Sequence, residues 1–197
     1  MKAGSCWILG CVLLLVLGVS MSGCNDENMP RSRVMVTRIA GPNADEDLST
    51  AVYSSDVLDA GEDKTPLTED DVVYEDHIVV TVENQPSSAL LALRPDGPFG
   101  SVTLTSYRVT YAVPGEEIAT IDGGLHLVVP TGSSAQASLV LVTALAKTLP
   151  PLASLAASGD ELMGSATITL RGYEQTSNDE VTATATIQIQ FANWQDI

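Results

Sequence analysis

The residues able to do chemistry in this 197-residue chain are few in kind: two histidines, three cysteines, and 25 carboxylates set against 9 basic side chains. Neither a Gly-x-Ser-x-Gly elbow nor a Ser-x-x-Lys pair occurs after residue 24, so the common settings of an activated serine are missing. His77 and His126 lack the HExxH spacing that brings two imidazoles to one metal. Each lies in a β-rich run, where a surface or edge position is the plainer reading. Carboxylates are the abundant group. Glycoside hydrolysis needs two of them flanking one bond, and calcium takes roughly six to eight oxygen ligands. Asp45, Glu46, Asp47, Asp70, Asp71, Glu75 and Asp76 are the candidates for such a calcium site. No Asp-x-Asp-x-Asp-Gly loop is present, and past residue 24 only Trp194 and two phenylalanines accompany the tyrosines as rings to stack a sugar. Solvated acidic loops are the simpler account. No catalytic residue, metal ligand or cofactor is expected from these residues.

Cys24 is the remaining reactive residue, and its neighbourhood is distinctive. Lys2 precedes an apolar run of 13 residues, Trp7 to Val19, and Ser20-Met21-Ser22-Gly23 then leads into the cysteine. A helix needs about 20 residues to span a bilayer core. The shorter run suits the apolar region of a secretory signal, and it lacks the polar face that a buried helix of a soluble domain normally carries.

Met21-Ser22-Gly23-Cys24 resembles a bacterial lipobox, with Met21 where that family prefers Leu. The resemblance covers only the first 24 residues. It implies that residues 1–23 are a lipoprotein signal peptide and are removed. Cys24 then becomes the new N-terminus and carries a thioether-linked diacylglycerol with fatty acyl chains such as palmitate. Two or more acyl chains hold a protein stably on a membrane, where one holds it marginally. Cys6 and Cys11 leave with the signal, so Cys24 has no cysteine partner for the disulfide that an exported compartment would permit. In enteric lipoproteins an Asp directly after the cysteine retains the protein at the inner membrane. Here Asn25 stands there, and by that resemblance the outer membrane is favoured over the inner within the cell envelope.

Charge narrows the partners. The net charge is −16, and −17 without Lys2. Residues 24–76 hold 14 acidic against 4 basic residues, and residues 77–197 hold 11 against 4. A basic patch that would neutralise phosphates is absent. Nucleic acid is therefore not an expected partner, and anionic lipid would repel the protein rather than hold it. That leaves the lipid on Cys24 as the membrane attachment.

These residues must be positioned by strands. Residues 24–33 read as a polar tether, and Val34–Ile39, rich in β-branched residues, as a first strand. Residues 41–71 are acidic, and a structureless loop of that length is unusual in a compact domain, so order is expected around Val52-Tyr53 and Val57-Leu58. Further strands are expected at His77–Val82, Ser101–Tyr111, Leu125–Val129 and Ala137–Ala146, with Asp122-Gly123-Gly124 as a turn. The Ala137–Ala146 run is almost wholly apolar and also fits a short helix. Pro151–Ala157 reads as one or two helical turns, with Pro at the start and Gly159 past the end. Ser165–Tyr173 and Val181–Phe191 alternate strictly between apolar and polar residues, which gives one buried and one solvated face. Glu174–Glu180 is the hairpin between them.

About seven strands with hardly any helix predict an all-β fold, an antiparallel β-sandwich over 34–197. The layout resembles an immunoglobulin-like or fibronectin-type sandwich, without the Cys…Trp…Cys signature of true immunoglobulin domains. Lipid-anchored sandwich domains of this kind carry no known site residues to transfer. The expected function is a non-enzymatic binding or assembly module at the cell envelope, with an envelope protein as partner. The alternatives are a hydrolase of envelope or extracellular polymers working through loop carboxylates, and a calcium-stabilised adhesion domain. The Thr/Gln face of 181–191 is either a plain solvated face or a surface or edge that a partner extends.

Overall fold

The computed structural model describes residues 32–41, 47–48, 51–87 and 100–194, so Cys24 and the signal-like segment lie outside the described residues. Eight strands run in order: β1 (Ser32–Ala40), β2 (Val52–Asp56), β3 (Asp76–Pro86), β4 (Val102–Ala112), β5 (Ile121–Val129), β6 (Ser133–Val142), β7 (Leu162–Glu174) and β8 (Glu180–Ala192). Two short helices, α1 (Ala144–Lys147) and α2 (Leu152–Ser158), separate β6 from β7. The chain is all-β in two sheets, one ordered β1-β3-β6 and the other β2-β8-β7-β4-β5. Among the described residues no helix is long and apolar enough to cross a membrane.

Alternation decides which face each strand buries. In β8, Val181, Ala183, Ile187, Ile189 and Phe191 are buried, while Thr182, Thr184, Thr186 and Gln188 between them are exposed. Ala166, Ile168 and Leu170 do the same in β7, and Ile78, Val80 and Val82 in β3. These faces belong to one hydrophobic cluster that draws on both sheets. Each large side chain so buried contributes about 1.5–3 kcal/mol before chain entropy is set against it. The edge of Tyr111 meets Phe191 at a centroid separation of 6.2 Å, a favoured arrangement of aromatic quadrupoles.

Three details depart from the sequence expectation. The first is β2, which pairs in parallel with β8, Val52 opposite Gln188 through Asp56 opposite Ala192. The other pairings are antiparallel. β2 and β8 are far apart in the chain, so no hairpin dictates their relative direction, and five residues are too few for alternation to announce a strand. The second is Asp122-Gly123-Gly124, which lies inside β5 and forms no turn. A Cβ on Gly123 would fall 2.1 Å from the ring of Tyr107 across the ladder, so the glycine admits the tyrosine. The third is the run Ala137–Ala146, which divides: β6 ends at Val142, and Thr143 caps α1 by accepting the Ala146 amide at 3.1 Å. The proposed helix after Pro151 forms as α2, closed by Gly159 in the left-handed region at φ 69°.

Candidate functional site

Among the described residues, those singled out from sequence are not gathered into one place. Cys24, Asp45 and Glu46 lie outside the described residues. His77 is the second residue of β3 in one sheet, and His126 faces outward from β5 in the other. His77 Nε2 is 3.8 Å from Glu75 Oε2, and both side chains are nearly half exposed. Among the described residues no three His, Cys, Asp or Glu side chains are grouped so as to hold a metal ion.

The acidic segment is ordered by its own carboxylates. Asp59 and Val72 exchange two backbone hydrogen bonds of 3.0 Å, closing a loop between them. Inside it, Asp70 Oδ2 accepts the amides of Glu62 at 2.9 Å and Asp63 at 3.3 Å. Asp71 Oδ2 accepts those of Leu67 at 2.5 Å and Thr68 at 3.1 Å. Asp63 Oδ1 accepts the Thr65 amide at 2.7 Å. The Thr68 hydroxyl, followed by these backbone donors, holds the Asp70 carboxyl below its ordinary range. These oxygens serve the turn.

Asp76 is different, because the fold buries it beside a cation. Lys147, the last residue of α1, donates from Nζ to Asp76 Oδ1 at 2.8 Å and to the Asp56 carbonyl at 2.6 Å. Ser55 Oγ donates to Asp76 Oδ2 at 2.5 Å. Burial is the largest influence on Asp76 and raises its carboxyl above the ordinary value, against the opposing pull of Lys147 and then Ser55. Burial, with the charge of Asp76 next, also pushes the Tyr53 hydroxyl far up. A serine, an amine and a carboxylate are the ingredients of a nucleophilic centre. Here, however, Ser55 is 0% and Lys147 3% exposed, and no substrate atom could reach them. The cluster ties β2, β3 and α1 together. The signal for it was a lone lysine ending an apolar run, Leu139 to Lys147, which a sequence pattern alone does not pair with a carboxylate 71 residues earlier.

What the fold opens to solvent is the outer face of the larger sheet. Thr182, Thr184 and Thr186 of β8 stand beside Arg171, Thr169 and Thr167 of β7, and Thr167 and Thr186 share a hydrogen bond of 3.1 Å. Next in the row, Arg108 of β4 grips Asp122 of β5 with two contacts, Nε to Oδ1 at 2.6 Å and Nη2 to Oδ2 at 3.1 Å. That contact, hydrogen bond before charge, draws the Asp122 carboxyl down, with a smaller contribution from Arg171.

At one end of this face lies a concavity of about 640 Å³ between β4, β7 and the start of β8. Three local features shape it. The β4 ladder slips between Leu104 and Ser106 against both of its neighbours, a bulge that turns Thr105 and Ser106 toward the opening. Gly172 lets the backbones close up there, since a Cβ would lie 2.0 Å from the Thr103 carbonyl oxygen. The third is the β7–β8 turn, held from within by Glu174, only 1% exposed. Its Oε1 accepts the amides of Gly100 at 2.9 Å and Thr176 at 3.2 Å. Its Oε2 accepts the Ser177 amide at 3.0 Å and the Ser177 hydroxyl. Burial alone would raise this carboxyl; Ser177 and the Thr176 and Ser177 amides outweigh it and hold it below the usual range. The turn so fixed presents Asn178, at φ 61°, to the concavity. Sequence reading identified the hairpin and the polar face but not the concavity, which depends on the bulge and the cross-strand glycine.

No family model matches the chain, and no curated protein matches its sequence. Among solved structures it is similar to the crystal structure of a protein from Archaeoglobus fulgidus, at 12% identity and a TM-score of 0.38. That match covers 61% of this chain and 87% of the other. So distant a likeness says nothing about activity or ligand.

Proposed function

We propose that this chain is a lipid-anchored protein of the cell envelope that works as a non-enzymatic binding or assembly module. In this reading residues 1–23 are a lipoprotein signal, Cys24 bears the lipid, and the outer membrane is favoured over the inner. The two sheets are read as an immunoglobulin-like sandwich that holds a partner-facing surface away from the bilayer. One contrast supports the binding role. The grouping of serine, amine and carboxylate around Lys147 is sealed inside, whereas the outer face of the larger sheet is hydroxyl-rich and open. Exposed, rigid sheet surfaces suit recognition, and reaction chemistry needs accessible groups.

The test is capture from native membranes with the full-length, acylated protein. Selective enrichment of a binding partner, lost when the exposed Thr184 is changed to Arg, is the expected result. Turnover of an envelope polymer by the purified chain, or no enrichment over a Cys24→Ala control and the Thr184→Arg variant, would count against it.

A further inference from the structure

We propose that the concavity between the β4 bulge and the β7–β8 turn binds a carboxylate-bearing saccharide, a ligand class that rests on the binding role given above. The first observation is the state of Arg171. The acidic group beside it on the sheet face, Asp122, is already gripped in bidentate fashion by Arg108. Among the described residues Arg171 has no ion-pair partner within 4 Å, although Asp122 senses its charge. A guanidinium fork matches a carboxylate in two parallel hydrogen bonds, so its natural occupant is a ligand carboxylate.

The second observation is what surrounds that fork. Tyr173 lies two residues along β7 on the same face and is 39% exposed, leaving ring surface for the C–H face of a sugar. Glu180, Thr182, Ser106 and Asn178 line the same space. Together they offer an acceptor-only group, two hydroxyls and an amide that both donates and accepts, which is the complement of a ring bearing several hydroxyls. An apolar ligand would find little to contact. A dianionic phosphate would meet Glu180 inside the site and a net charge of −16 outside it. A single carboxylate is the anion that one arginine can balance.

The third observation is rigidity. Glu174 fixes the turn from inside, and the paired β4 and β7 backbones fix the floor. The site therefore loses little freedom on binding.

Calorimetric titration of the full-length protein in detergent micelles tests this, with methyl galacturonoside, which bears one carboxylate, as probe and the neutral methyl galactoside and a tripeptide with a single carboxylate as comparisons. Methyl galacturonoside binds, and the neutral methyl galactoside binds at least about tenfold more weakly, the loss of one charge-assisted contact. Arg171→Gln weakens methyl galacturonoside binding by a similar factor, Arg171→Lys restores part of it, and Thr182→Trp blocks binding by filling the concavity. Equal binding of the neutral galactoside, preference for the tripeptide, or binding indifferent to Arg171→Gln and Thr182→Trp would overturn the inference. If no saccharide binds while membrane capture still enriches a Thr184-dependent partner, this inference falls and the binding-module reading stands.

Discussion

Lys147 Nζ lies 2.8 Å from Asp76 Oδ1, with the two side chains only 2% and 12% exposed. The contact joins the end of α1 to the first residue of β3. Taking two charges out of water is costly and is offset only when the remaining donors and acceptors are met. Here the Asp56 carbonyl and Ser55 hydroxyl meet them. Asp76→Asn should therefore destabilise the protein by about 3–5 kcal/mol, because it leaves a buried ammonium without its counter-charge. Urea denaturation measures this, and a loss below about 1 kcal/mol would show the pair to be more hydrated than its burial indicates.

Lys147→Met should behave differently, and its loss should depend on pH. Burial already raises the Asp76 carboxyl, and removing the cation raises it further. A carboxyl whose folded value exceeds its unfolded value favours folding while protonated. That contribution disappears as pH rises through the folded value. The variant should thus approach wild-type stability in acid and fall behind it toward neutral pH. A difference independent of pH would contradict this.

Glu174 predicts the opposite slope. Its carboxyl is held below the ordinary value of 4.5 in the folded protein. The stability it supplies is present above the unfolded value and is lost as pH falls through the lower folded one. Melting temperature measured from pH 6 to about pH 3 should drop less steeply in Glu174→Gln than in wild type, from a lower starting point. Parallel curves would mean that the turn does not depend on the ionised carboxylate.

Gly123→Ala tests the close approach across β4 and β5. The added methyl would enter the space of the Tyr107 ring, and such overpacking costs about 1–3 kcal/mol. Tyr107→Ala on the same background should give less than the sum of the two single losses, because the clash goes with the ring. Additive losses would show that the strain lies elsewhere.

The acidic loop makes a prediction about metal. The carboxylates of Asp63, Asp70 and Asp71 are occupied by amides of the same loop, so millimolar calcium or a chelator should leave the melting temperature unchanged, an outcome that would count against a calcium-stabilised domain. Asp70→Ala, by contrast, should speed proteolytic nicking between Asp59 and Val72. Calcium-dependent melting would revive the metal reading.

Cys24→Ala should leave the signal uncleaved by the lipoprotein peptidase and abolish incorporation of a clickable fatty acid. Continued labelling would place the lipid on another residue and remove the anchor from the proposal.

Much of the larger sheet was legible because its apolar residues recur every second position. Ser165–Tyr173 and Val181–Phe191 show in sequence the faces that the fold buries and exposes. Such alternation is blind to neighbours. It did not show that β8 lies between β7 and β2 rather than at an edge, nor that Gly123 faces a tyrosine. The Thr/Gln stripe therefore stays a surface, and the described edges of that sheet are β2 and β5.

By itself the sequence determined the all-β class, the two polar-faced C-terminal strands and an acidic character that disfavours binding to nucleic acid or anionic lipid. Each of these follows from composition or from periodicity along one strand. Only the tertiary structure decided that Lys147 finds Asp76, that Glu174 supports its own turn, and that Arg171 is left beside Tyr173 over an open concavity. Those facts depend on which residues meet across strands. That is set by register, by the β4 bulge and by glycines that let backbones close up, none of which a one-dimensional pattern encodes.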